Sequence, residues 1–115
     1  MHGPEDQSPC SRAGVEPSPP PSASTVGLAL STIGSWPLNG LRLRPSGSTN
    51  GWYLWCGADF SVADDFFSPL HVEHVPEYLT EAEPYLSLPP GYRFLVGENG
   101  VEDIWFDASL LNEDS

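Results

Sequence analysis

The stretch that most restricts how this chain can fold is residues 89–107, where two runs rich in β-branched and aromatic side chains flank Gly97-Glu98-Asn99-Gly100. An Asn-Gly step supplies the positive φ values that a tight hairpin turn needs, so the stretch is expected to be a β-hairpin. Alternation puts Tyr92, Phe94 and Val96 on one face of the first arm and Arg93 and Leu95 on the other. On the second arm, Glu102, Ile104 and Phe106 oppose Val101, Asp103 and Trp105. Both faces carry apolar groups, which predicts a strand pair covered at least in part on each side. An isolated hairpin is marginal in water, so the preceding residues must supply further strands and a covering helix.

Leu41-Arg42-Leu43-Arg44 alternates as a half-buried strand with both arginines on its open face, and Pro45 ends it. After a Ser/Gly/Thr/Asn loop, Trp52-Tyr53-Leu54-Trp55-Cys56 is expected to pair back antiparallel on that strand and to occupy the centre of the sheet. Val26, Leu28, Leu30 and Ile33 suit a short strand or a marginal helix, with Gly27 and Gly34 weakening either. Val75, Leu79, Ala82 and Leu86 are spaced to line one helical face, while Glu73, Glu77, Glu81 and Glu83 populate the rest of that surface. Pro76 and Pro84 divide the segment into two short helices, the second with Thr80 as N-cap and Glu83 at the capping-box position. Residues 108–111 add a last helical turn. The fold class is therefore α+β: a small antiparallel sheet of about four strands covered by one or two short helices.

Residues 1–24 hold Pro4, Pro9, Pro17, Pro19, Pro20 and Pro21 among serines, with little to bury, and are expected to form a disordered tail before a single domain at 25–115. At 115 residues the chain has room for one small core. Charge is unevenly placed: residues 1–50 balance three carboxylates with three arginines, whereas residues 51–115 carry 13 carboxylates against Arg93 alone, a net of −12. Such a field repels nucleic acid and anionic membranes and draws in a basic protein partner. Cys10 and Cys56 do not make a disulfide framework, and Cys56 is expected as a buried small hydrophobe. With no apolar run of ~20 residues and no signal-peptide pattern, a cytoplasmic protein is the expectation.

Few residues invite a chemical reading. His71 and His74 stand three apart, within reach of one metal ion, but they lack the further ligands that zinc requires, so no metal site and no cofactor are expected. The pairs Asp64-Asp65 and Glu102-Asp103 have no nucleophile, phosphate-cradling loop or catalytic histidine beside them, so the chain is not expected to be an enzyme. Trp52, Trp55 and Trp105 suit the core, although a tryptophan left exposed among carboxylates would anchor an interface. Arg93 is expected to pair internally with a carboxylate, such as Glu102 or Asp103 across the hairpin, rather than to bind an anion.

The block Asn50-Gly51-Trp52-Tyr53-Leu54-Trp55-Cys56-Gly57, then 64–74, then Leu88-Pro89-Pro90-Gly91-Tyr92-Arg93-Phe94-Leu95, then 102–107, together resemble a family of small bacterial proteins assigned as predicted immunity proteins of polymorphic toxin systems. The resemblance covers roughly residues 40–112. It implies an α+β domain that binds and blocks a cognate toxin without catalysis. Joined to the acidity, it points to Asp64, Asp65, His71, Glu73, Glu102, Asp103 and Trp105 as partner-binding residues and to a basic toxin domain as the partner. The alternative is a solitary interaction or regulatory domain, which the absence of a toxin-like neighbouring gene would favour.

Overall fold

The computed structural model describes residues 8–57 and 67–111. Six strands, β1 (Thr25–Leu28), β2 (Leu38–Arg42), β3 (Thr49–Cys56), β4 (Ser68–His71), β5 (Tyr92–Val96) and β6 (Glu102–Phe106), form one sheet in the order β4-β1-β3-β2-β5-β6. The aromatic run is the longest strand and lies inside the sheet, antiparallel to β2 as expected. The sheet is nevertheless mixed and larger than the four antiparallel strands expected, because β1 runs parallel to β3 and β4 pairs antiparallel on β1. Gly27, which weakens β1 on propensity, suits this position because an added Cβ would lie 2.8 Å from the Tyr53 ring. Pro69 is accommodated because β4 is an edge strand, where a missing N–H costs little.

The hairpin forms with Tyr92 opposite Phe106, Phe94 opposite Ile104 and Val96 opposite Glu102. Its turn is wider than a two-residue Asn-Gly connection. Gly97 N–H donates to Val101 O at 2.7 Å, and only Gly100 takes positive φ, at 88°. Asn99 instead accepts the Val101 N–H with its side-chain oxygen at 3.3 Å.

Strand β2 buries the face opposite to the one that Leu41 and Leu43 suggest. Leu38, Gly40 and Arg42 face the covered side, whereas Leu41 faces the open side beside Tyr53 and Arg93. Two contacts explain the inversion. The Phe94 ring fills the space over Gly40, where a Cβ would come within 2.2 Å of it. Arg42, 2% exposed, donates to Asn50 O at 2.9 Å, Ser18 O at 2.7 Å and Leu88 O at 2.8 Å, with its guanidinium 5.8 Å from the Trp52 ring centroid. Its charge is thus stabilised by carbonyl dipoles and an aromatic face, although burial lowers its pKa.

The covered face meets a layer of short turns that includes the helices α1 (Pro9–Ala13) and α2 (Val75–Tyr78). Val75, Leu79, Ala82 and Leu86 are all buried, as their spacing predicts, and Pro76 sits in the first turn of α2. The second helix, however, is a 3-10 run over Thr80–Tyr85 with no side-chain cap, so the Thr80/Glu83 capping box does not form. Pro84 within that run has no N–H to donate to a preceding carbonyl, so a regular α-helix is interrupted there, and the 3-10 run still buries Ala82 and Tyr85. At the centre, Trp52 meets Phe94 edge-on at 5.5 Å, Tyr85 stacks on Phe94 at 4.4 Å, and the Trp52 indole donates to Leu86 O at 2.9 Å.

Residues 8–24 depart from the expected disordered tail. Cys10 is buried in the core, and Ser18 N–H donates to Ser87 O at 2.6 Å. Arg12 Nε donates to Glu102 Oε1 at 3.0 Å. The segment has few apolar groups, but Cys10, Ala13 and Val15 pack against the core and its backbone finds partners there. Residues 1–7 of that tail lie outside the described residues. Both cysteines are free and buried, and among the described residues no helix is long and apolar enough to cross a membrane.

Candidate functional site

The second face of the sheet carries the side chains that alternate away from the core. Around β3, Phe67 contacts it edge-on, 5.0 Å from Tyr53 and 6.2 Å from Trp55. Towards β6 the face is more open: Leu41, Arg93 and Leu95 are half-buried, and Asp103 and Trp105 are exposed. Trp52 and Trp55 are buried as expected, but Trp105 is 40% exposed and so does not belong to the core. The reason is its place on an outermost strand, on the side away from the helical layer.

Arg93 organises this end of the face. It lies directly across from Trp105, its guanidinium 5.6 Å from that ring, and its Nη1 is 3.1 Å from Asp107 Oδ2. The expected internal carboxylate partner is therefore present but is Asp107, not Glu102 or Asp103, because Glu102 projects to the opposite face and Asp103 lies across from Leu95. Asp107 is held below the usual carboxylate range first by the Ser109 hydroxyl, which donates at 2.6 Å, and then by Arg93. A cation stacked on an aromatic ring and pinned by a carboxylate gives Trp105 a fixed orientation on the surface.

Glu102 has a structural setting. Its carboxylate takes two contacts from Arg12 and accepts the Tyr85 hydroxyl, so it ties α1 and the helical layer to β6. Burial acts to raise the Glu102 pKa, but the hydrogen bonds from Arg12 and Tyr85 prevail and lower it. Burial, followed by the Glu102 contact, pushes the Tyr85 phenol up to about 12.

The remaining expected site residues do not converge. His71 ends β4 at the far edge, five strand spacings from β6, or roughly 24 Å. Glu73 is exposed in the 3-10 turn Val72–His74 on the helical side. Asp64 and Asp65 lie outside the described residues. Among the described residues of that set, Asp103 and Trp105 alone share a patch. Sequence reasoning missed that Leu95 lies across from Asp103 and that Leu41, one strand further in, shares their face, since placing them needs the register of three strands. His71 and His74 lie 6.3 Å apart between ring centroids, and His74 Nδ1 is 2.9 Å from Glu77, which raises the His74 pKa. Among the described residues, no cluster of three or more potential ligands is placed to hold a metal ion.

Comparison with known proteins adds one result. No curated protein matches the chain, nor does any solved structure. The family model for the Imm33-like domain matches residues 5–107, which takes in the α1 segment as well as the whole sheet. The chain of 115 residues therefore belongs to the Imm33-like domain family.

Proposed function

We propose that this protein is an immunity protein of a polymorphic toxin system, acting in the cytoplasm by binding a cognate toxin and blocking it without catalysis. The observation that carries the reading is the family match across residues 5–107. The charge supports a basic toxin domain as partner: the −12 of residues 51–115 includes the exposed carboxylates of Glu73, Glu81, Glu83, Glu98 and Asp103. Opposed fields of this size steer encounter and set the rate of association. Asp103 and Trp105, with Leu95 beside Asp103 and Leu41 one strand further in on the same face, offer an aromatic anchor within a charged rim, the composition of a binding hot spot. Nucleic acid and anionic membranes, which share the chain's sign of charge, are disfavoured as partners.

The test is co-expression with the product of each neighbouring gene, scored by viability. One neighbour is expected to be toxic alone and harmless beside this protein. If no neighbouring product is toxic, or toxicity persists beside this protein, the reading fails.

A further inference from the structure

A cleft on the helical side, at the end of the sheet where β2 begins and β3 ends, has no part in the surface described above. Its floor is Leu38 and Cys56, one wall is the loop carrying Ile33 and Trp36, and the other is Tyr78 and Leu79 with Glu81 at the rim. Trp36 is 39% exposed and Tyr78 46%, so two large aromatic side chains flank a concave apolar site. Exposed apolar groups gathered around a concavity mark interaction sites more often than the same groups scattered singly.

The loop that makes the first wall is firmly held. Thr32 Oγ1 donates to Ala29 O at 2.7 Å and accepts Cys56 N–H at 2.9 Å. Gly57 N–H donates to Pro37 O at 2.8 Å, and the Asn39 amide donates to Pro37 O at 3.1 Å and Gly57 O at 3.0 Å. A preformed wall avoids much of the ordering cost of binding.

We propose that this cleft takes one apolar side chain from a basic segment of a protein partner. Size selects the class of occupant: about 210 Å³ is below the ~300–1,000 Å³ of small-molecule pockets and suits a single anchoring side chain. Charge selects what flanks that anchor. Glu81 lines the cleft, no arginine or lysine is among its described lining residues, and residues 51–115 as a whole carry a net −12. Lysine or arginine beside the anchor would meet Glu81 within this acidic field, whereas an acidic segment would be repelled. The inference rests on the immunity reading only in treating the chain as a binding protein, and it gives the partner's contact a chemistry that the family match does not.

The test titrates the full 15N-labelled chain with the capped peptide Lys-Lys-Phe-Lys-Lys. Two controls replace the phenylalanine by alanine or the lysines by glutamates. Saturable amide shifts are expected at Gly34, Cys56 and Leu79 with a Kd of about 1 mM, and both controls are expected to bind at least about tenfold more weakly. Glu81→Gln should weaken binding several-fold, and Trp36→Ala should abolish it, each with an otherwise unchanged spectrum. Absence of saturable shifts, shifts confined to β6, or equal binding of the alanine control would overturn the proposal. No toxin enters this experiment, so its failure would remove the cleft and leave the co-expression test of immunity standing.

Discussion

A guanidinium at 2% exposure with three carbonyl oxygens within 2.9 Å joins residues 18, 50 and 88, which are far apart in the chain. Removing it orphans buried acceptors, each costing about 1–3 kcal/mol, so Arg42→Ala should destabilise the fold by at least about 3 kcal/mol in urea unfolding. A loss under about 1 kcal/mol would mean those carbonyls find other partners. Arg42 was misread from sequence because the alternation of Leu41 and Leu43 is identical whichever face is buried. What decides the face is Gly40 under the Phe94 ring, a contact between strands that local pattern does not contain. Tyr85 provides a second test. Its phenol should titrate near pH 12 by NMR. In Glu102→Gln it should fall while staying above the ordinary 10.0, because burial is the larger cause. A value at 10.0 in the wild type would contradict the buried Tyr85–Glu102 contact, and a value at 10.0 in Glu102→Gln would contradict burial as the larger cause. The raised phenol pKa gives stability that is complete below pH 10.0 and is lost as pH rises through about 12. The lowered Glu102 pKa works in the opposite direction, its contribution present above 4.5 and lost as pH falls through the depressed value.

Among the elements, the hairpin was legible down to its register faces because it is local and its arms alternate over five residues each. The buried positions of the helical segment were legible from their spacing, but its 3-10 geometry was not, since Pro84 excludes one α-helical bond without dictating the replacement. Strand β4 was missed because Pro69 argues against a strand except at an edge, and edge position is a property of the assembled sheet. Residues 8–24 were the largest misreading. Composition said too little to bury, yet their partners are backbone groups and a few small side chains. Deleting residues 1–24 removes the buried Cys10, the Ser18 carbonyl that Arg42 uses and the Arg12–Glu102 contact. The expected consequence is a melting temperature lower by about 10 °C or more, since a loss of ~2 kcal/mol shifts a domain of this size by that order. A change within about 2 °C would show that residues 8–24 contribute nothing to stability.

At the scale of the whole molecule, the carboxylates divide by role. Glu102 and Asp107 are held by Arg12, Tyr85, Ser109 and Arg93 and serve the fold. Glu73 and Asp103 are exposed and contribute mainly to the field. Sequence alone gave the net charge but did not separate these groups, because an inward-facing Glu102 and an outward-facing Asp103 are adjacent in the chain. The most direct test of the account measures association with the purified toxic neighbour at two salt concentrations. It compares the wild type with a variant carrying Asp64→Asn, Asp65→Asn, Glu73→Gln and Asp103→Asn. The account predicts a one-to-one complex whose formation slows with salt, and a variant that melts like the wild type but associates about tenfold more slowly with a flatter salt dependence. An association rate that the four substitutions leave unchanged would contradict it.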